Sequence, residues 1–339
     1  MEKKPLKDAD NSAKNKALRI VAPDEADLRL DRWFRRHFPS LPHGHLQKML
    51  RKGLVRVGGK RADSSDRLCE GQIIRLPPSL LEGDSPRPTP VRTGKPVRNP
   101  EKLKSLILYE DDDVVVLNKP AGLAVQGGTG LKENLDDSLM ALSRDGVTRP
   151  KLVHRLDRDT SGVLMIARND FAAMKLAASF RARSTQKIYW AATHGVPKTP
   201  QGRIDAPLIK HGQLMSVASR EEEENDEAKS ALTLYQVVES VPPKMAFVAL
   251  WPLTGRTHQL RVHLAHLGTP IWDDPLYGSR ESGELEGLDL GRGLHLHARR
   301  LIIPHPRRGV IDVTAPLSVL MRKTWRALGF DEKAEVEFE

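Results

Sequence analysis

Three short stretches of this chain place reactive side chains where chemistry could be done. The first is His154-Arg155-Leu156-Asp157-Arg158-Asp159-Thr160-Ser161-Gly162, followed directly by the apolar run Val163-Leu164-Met165-Ile166-Ala167. It sets Asp157 among cations and small turn-forming residues at the mouth of a rigid strand. A carboxylate with a cation nearby stays ionised at neutral pH. It can then act as a nucleophile that divides one difficult step into easier ones. Taken alone, an Arg-Leu-Asp-Arg run before a strand reads as a surface turn holding an ion pair.

The second stretch is Gly255-Arg256-Thr257-His258-Gln259-Leu260-Arg261-Val262-His263. Leu260, Leu264 and Leu267 fall on one face of a helix that Thr254 or Thr257 could cap, with Arg261 at the edge of that face. An arginine there can turn its head inward while its stem stays buried; by itself the pattern is an amphipathic helix with a solvated arginine. His258, His263 and His266 are spaced by five and three residues, which does not fit the usual zinc helix with histidines at i and i+4, so no metal is expected. The third stretch is Lys187-Ile188-Tyr189, where strand alternation sets Lys187 and Tyr189 on one face. Without further context, a strand tyrosine is core.

All three stretches, in their order along the chain, resemble the motifs of the RluA-type pseudouridine synthases: H-R-L-D-x-x-T-S-G, K-x-Y and G-R-x-H-Q-[IL]-R-x-H. Asn118-Lys119-Pro120-Ala121-Gly122 matches a further family motif, N-K-P-x-G, and is read as a structural turn. The resemblance runs from about residue 19 to 325. It implies a cofactor-free isomerase that converts uridine in RNA to pseudouridine. On that resemblance Asp157 acts at the sugar, by attack or by proton abstraction, with Arg261 as its ion-pair partner. Tyr189 lies against the uracil and is the candidate for removing the C5 proton, and Leu260 packs under the base. Arg155 fills the space left when the base is extruded, a step that costs a few kcal/mol. His154, Thr160 and Arg256 complete the expected substrate contacts.

The elements that must position these residues can be read in outline. A chain of 339 residues is long enough for about two domains. The net charge of +10 lies wholly within residues 1–100, which points to a basic module that binds a polyanion, nucleic acid first. Residues 1–18 read as a disordered tail. Residues 19–78 read as two helices and a strand pair, resembling the alpha-L RNA-binding fold of the ribosomal protein S-four type. Arg32, Arg35, Arg36, Lys48, Arg51, Lys52, Arg56 and Lys60 are its candidate RNA contacts. The fragment Leu50–Val57 resembles the RluC branch of the family, which implies large-subunit (23S) ribosomal RNA as substrate, with transfer RNA as the alternative.

A proline-rich linker is expected over 79–102, a catalytic domain over 103–330 and an acidic C-terminal tail over 331–339. The catalytic domain reads as α+β, rich in antiparallel strands and without regular βαβ alternation. Its expected elements include a helix from Asn169 or Asp170 to about Arg183, strands near Lys187–His194, Leu232–Val238, Ala246–Leu253 and Leu294–Ile303, and a helix near Leu317–Leu328. The acidic run Glu221–Glu224 reads as a loop. One cysteine, Cys69, allows no internal disulfide. No apolar run reaches the roughly 20 residues of a membrane span. A cytoplasmic monomer is expected. Two rival readings remain, a non-catalytic RNA-binding assembly factor of the same fold and an aspartate-based glycosidase. The glycosidase would need a second carboxylate about 5–10 Å from the first, and Asp159, in the same turn, serves poorly.

Overall fold

A computed structural model of the chain describes residues 17–38, 41, 43–77, 80, 100–127, 134–182, 184–212, 214–225, 228–278, 288 and 290–338. The chain divides into two compact units, Met1–Thr93 and Gly94–Glu339.

In the first unit, helices α1 (Leu30–His37) and α2 (His43–Arg51) pack on a small antiparallel sheet. Its strands β1 (Leu18–Ile20), β2 (Arg56–Val57), β3 (Lys60–Arg61) and β4 (Ile73–Arg75) lie in the order β1–β4–β2–β3. Helix α1 buries Leu30, Trp33 and Phe34 against Leu46, Met49 and Leu50 of α2 and Ile74 of β4. The i, i+3, i+4 spacing of those three residues makes one apolar stripe. Asp31 in the first turn and Arg35, Arg36 and His37 in the last complement the helix dipole. Gly58 and Gly59, both at positive φ, close the β2–β3 hairpin. Strand β1 was not expected; it takes Leu18 out of the anticipated tail, whose residues 1–16 lie outside the described ones.

The second unit begins with helix α3 (Pro100–Lys104), so the expected linker ends in a helical turn; most of its remaining length lies outside the described residues. Ten strands form the main sheet. They are β5 (Ile107–Glu110), β6 (Val114–Lys119), β7 (Lys151–Leu152), β8 (Ser161–Ala167), β9 (Gln186–His194), β10 (Gln201–Asp205), β13 (Leu232–Val241), β14 (Met245–Pro252), β15 (Leu296–Pro304) and β16 (Val310–Thr314). Their order is β10–β13–β14–β9–β15–β8–β6–β5, with β16 added to β15 and β7 to β8. Every pairing is antiparallel except β8 with β15. The fold is α+β and largely antiparallel. Strands β11 (Leu208–His211) and β12 (Leu214–Val217) make a separate hairpin.

Alternation along the central strands gives the sheet two buried faces. On β9, Ile188, Trp190 and Ala192 pack with Trp325 of helix α7 (Val319–Leu328), while Tyr189 and Ala191 pack with Leu260 and Leu264 of helix α6 (Gln259–His266). On β6, Val114 and Val116 meet Ala172 and Leu176 of helix α4 (Asp170–Arg181). Val115 and Leu117 meet Leu156 and a 3-10 segment, Asp136–Leu142.

Asn169 caps α4 by accepting from the Ala172 N–H at 2.8 Å. The acidic run expected as a loop is a short helix, α5 (Arg220–Glu224), held by a capping box between Ser219 and Glu222. The acidic C-terminal segment is not a free tail either: Phe330 and Val336 are buried and Phe338 packs on the same cluster, beside Trp251.

Candidate active site

The loop that carries Asp157 is fixed from three sides. The Thr160 N–H donates to the Asp157 carbonyl at 3.2 Å and closes the turn. Below it, the buried Lys119 ammonium donates to the carbonyls of Pro120, Leu123 and Arg158 at 2.8–2.9 Å. Burial lowers the Lys119 pKa to about 8, against the opposing pull of the Asp159 and Asp157 carboxylates. The lysine of the Asn118–Gly122 turn is thus a buried cation that ties this turn to the aspartate loop. The third side is Gly162, at φ +107°, where strand β8 crosses β15 so closely that an added Cβ would stand 2.2 Å from the Ala298 carbonyl oxygen. Next to it, Ser161 Oγ and His297 Nδ1 lie 2.8 Å apart in the core.

Asp157 itself is part exposed, its side chain at 23%. Tyr189 bridges the cluster that holds Leu156 and the cluster that holds Leu260. Burial raises the Tyr189 pKa, and the nearby Asp157 carboxylate raises it further. The phenol therefore stays protonated through the neutral range. Leu260, buried on α6, packs into the same cluster as Tyr189. A part-exposed carboxylate, a protonated phenol and an apolar floor thus converge on one face of the sheet. Beside the loop, a cavity of about 320 Å³ is lined in part by Ala121, Asp159, Asp273 and Arg292.

Arg261 does not pair with Asp157. Its guanidinium is bound in bidentate fashion by Asp274, Nε at 2.8 Å and Nη2 at 2.6 Å, with the two side chains only 4% and 0% exposed. Burial alone would lower the Arg261 pKa, and the hydrogen-bonded Asp274 carboxylate more than offsets it. Asp274 also accepts from the N–H groups of Leu276 and Tyr277, so it is a preformed anion cradle for this arginine. The residue that faces Asp157 is His258, whose Nε2 lies 4.0 Å from Oδ2. Neither threonine caps α6 at its start. His258 occupies the cap position in a left-handed conformation, φ 54°, and Thr254 instead donates to the Gln259 side chain at 2.7 Å.

The other expected substrate contacts are spread more widely. Arg155 is exposed and makes no ion pair among the described residues; it is Arg158 that pairs with Asp159. His154 is turned away from the site. Its Nε2 accepts from the Met165 N–H at 2.8 Å and its ring stacks on Phe180. Burial, with a contribution from Lys187, lowers its pKa to about 3, so it is a neutral strut. Thr160 is buried in the turn it closes. Arg256 is exposed, with Nε on the Ser230 carbonyl. His263 uses both ring nitrogens within the core, on Thr233 and Ala206.

On the first unit, all eight expected RNA contacts are exposed. Arg36 is paired with Asp24, whereas Arg32, Arg35, Lys48, Arg51, Lys52 and Lys60 make no ion pair among the described residues.

Asp274, which the sequence reading passed over, was signalled only by charge in a segment between two prolines, Pro270-Ile271-Trp272-Asp273-Asp274-Pro275, and Tyr277, two residues beyond it, carried no signal. That segment has no cation of its own, so its carboxylates must find partners elsewhere.

Comparison with known proteins agrees with this geometry. The family model described as RNA pseudouridylate synthase matches residues 113–266, a span that includes Asp157, Tyr189 and Arg261. Ribosomal large subunit pseudouridine synthase C of Vibrio vulnificus is 36% identical over 91% of this chain and 95% of its own length. The protein of that name from Escherichia coli is 36% identical over 92% of this chain and 97% of its own. Among solved structures, human RNA pseudouridylate synthase domain containing 4 matches with a TM-score of 0.56 and 31% identity, over 68% of this chain and 95% of that one. With relatives this similar along nearly their whole length, and with the aspartate, tyrosine and arginine motifs gathered on one sheet face, the chain belongs to the RNA pseudouridylate synthase family.

Proposed function

We propose that the protein isomerises uridines of large-subunit ribosomal RNA to pseudouridine, with Asp157 as the reacting carboxylate. The observation that carries this reading is the Asp157 turn: a part-exposed carboxylate on a rigidly braced loop, beside the protonated Tyr189 phenol and the Leu260 floor. In the reaction the C1′–N1 bond breaks, the uracil turns, and a C1′–C5 bond forms. C5 loses a proton and N1 gains one, so there is no net redox change. Asp157 either attacks C1′ or takes a ribose proton; both routes use the same carboxylate. Tyr189 lies against the base, and a phenol held protonated serves the loss of the C5 proton as a relay, taking that proton as it gives up its own.

The ribosomal target is favoured by the names of the relatives, and by free cations on a small module of the kind that holds RNA through its phosphates. Those contacts are Arg32, Arg35, Lys48, Arg51, Lys52 and Lys60, with Arg36 and Arg56 beside them. A ribosomal substrate favours work in the cytoplasm.

The test is pseudouridine mapping of total RNA from cells with and without the protein, with purified Asp157→Asn assayed in parallel. At least one large-subunit site should vanish in its absence. Asp157→Asn, which changes charge at nearly constant volume, should bind RNA and turn nothing over. Loss of transfer RNA sites alone would overturn the ribosomal assignment, and turnover by Asp157→Asn at even a hundredth of the normal rate would overturn the role of the carboxylate.

A further inference from the structure

Arg261 feels the Asp157 charge but gives its hydrogen bonds to Asp274, so a hydrogen bond that orients the Asp157 carboxylate must come from another group. Three polar groups stand in a row leading to it. The Met215 N–H, on β12, donates to Tyr277 Oη at 3.1 Å. Tyr277 Oη lies 2.8 Å from His258 Nδ1, and His258 Nε2 lies 4.0 Å from Asp157 Oδ2. Because the tyrosine oxygen already accepts the backbone proton, its own proton is free for the imidazole. A neutral imidazole that accepts at Nδ1 must carry its proton at Nε2. That N–H then faces the carboxylate.

Tyr277 is itself immobilised. Its backbone N–H donates to Asp274 at 3.2 Å, and the Arg261 guanidinium lies over its ring at 5.0 Å. His258 holds a left-handed backbone, φ 54°, that a histidine adopts only when its surroundings require it. The charged groups around its ring are Asp157, Arg155, Arg261 and Asp274.

We infer that Tyr277 and His258 form a positioning relay, in which Tyr277 fixes the imidazole tautomer and His258 Nε2–H aims the Asp157 carboxylate at the substrate. This rests on the reading of Asp157 as the reacting group. The gap of 4.0 Å is about 1 Å longer than a hydrogen bond. Such catalytic contacts are commonly loose without substrate and tighten when it binds. The relay also gives the buried Arg261–Asp274 pair a purpose that does not require contact with Asp157. It holds Tyr277, and the effect reaches the carboxylate through His258.

The experiment is a double-mutant cycle on pseudouridine formation by the full-length protein. His258→Asn tolerates the left-handed backbone but shortens the reach. His258→Gln restores an N–H near the position of Nε2. Tyr277→Phe removes only the hydroxyl and leaves the strained residue in place. His258→Asn should lower kcat by about 10–100-fold, the scale of an ångström-level misplacement, with RNA affinity within about twofold. His258→Gln should recover most of that loss. Tyr277→Phe should lower kcat by about tenfold, and the double variant His258→Asn/Tyr277→Phe should be no slower than His258→Asn alone. Normal kcat in Tyr277→Phe, or losses that multiply in the double variant, overturn the relay. Should His258→Asn melt early, Tyr277→Phe decides the matter. A wild-type protein that forms no pseudouridine overturns the proposed function and the relay together, whereas an active wild type beside indifferent variants overturns the relay alone.

Discussion

The Arg261–Asp274 pair gives the sharpest test of how this site is built. Arg261→Met keeps most of the stem volume and deletes the charge. Asp274 would then be left fully buried, with two backbone N–H groups and no cation. Breaking a buried pair from one side costs about 3–5 kcal/mol. Asp274→Asn strands the guanidinium in the same way, and its cost should be similar. The double variant Arg261→Met/Asp274→Asn leaves no buried charge unpaired. Its cost should therefore fall well short of the two single costs together, with a coupling of at least about 2 kcal/mol.

For a unit of this size, 1 kcal/mol moves the melting temperature by about 2–4 °C, so each single variant should melt roughly 6–20 °C early. Tryptophan fluorescence reports the right unit, because four of the five tryptophans lie beyond residue 93. Single costs that add to within about 0.5 kcal/mol would refute the argument. So would an Arg261→Met protein that melts normally and turns over nothing, since that result would return Arg261 to direct service at Asp157.

Gly162→Ala should destabilise the protein by about 2–5 kcal/mol, combining left-handed strain with overpacking against the Ala298 carbonyl, and should abolish turnover by shifting the Asp157 turn; normal melting and activity would show that the crossing of β8 and β15 can relax. Tyr189→Phe should melt within about 2 °C of the wild type and cleave normally, yet accumulate an unreleased or rearranged base, followed by single-turnover analysis of the RNA; an unchanged overall rate would leave Tyr189 as a stacking residue. Replacing Arg32, Arg35, Lys48 and Arg51 with Gln should leave stability nearly unchanged, because these exposed side chains make no ion pair among the described residues, but should flatten the log–log salt dependence of RNA binding by about 0.9 per contact on duplex and 0.7 on single strands. Equal slopes for the two proteins would remove the first unit from the RNA interface.

Much of this architecture is legible in residue patterns. Runs such as Val114–Leu117 and Val163–Ala167 are strands because they are buried on both faces. Asn169 caps its helix by the side-chain geometry that its type suggests. The three motif stretches do meet on one face of the sheet. Partner choice among buried charges was not legible. The family resemblance assigned Arg261 to Asp157, whereas the fold brings Asp274 to it from a turn thirteen residues on. His154 reads as a substrate contact only until strand β8 is in place to offer it the Met165 N–H. The capping box at Ser219 and Glu222 was present in the sequence, but the run of acids around it obscured it. The same holds for the C-terminal segment, where Phe330, Val336 and Phe338 are few among many charges yet anchor the chain end to the core. Short strands such as β11, β12 and β16 are too brief for alternation to rise above the surrounding polarity.

The parallel contact of β8 with β15 has a consequence for how the protein comes into being. Ser161 and His297, which meet at that contact, are separated by 136 residues of sequence. The basic first unit is complete once the chain has passed residue 93, but the loop of Asp157 lacks its far wall until the last part of the polypeptide has emerged. At synthesis rates of about 5–20 residues per second, that interval is about 10–40 seconds. For that time a nascent chain carries its basic folded head while its catalytic loop is still unbraced. If the first unit holds RNA as proposed, an unfinished polypeptide can meet RNA before it can modify it, and a product truncated ahead of β15 would remain in that condition permanently, as a competitor of the finished enzyme.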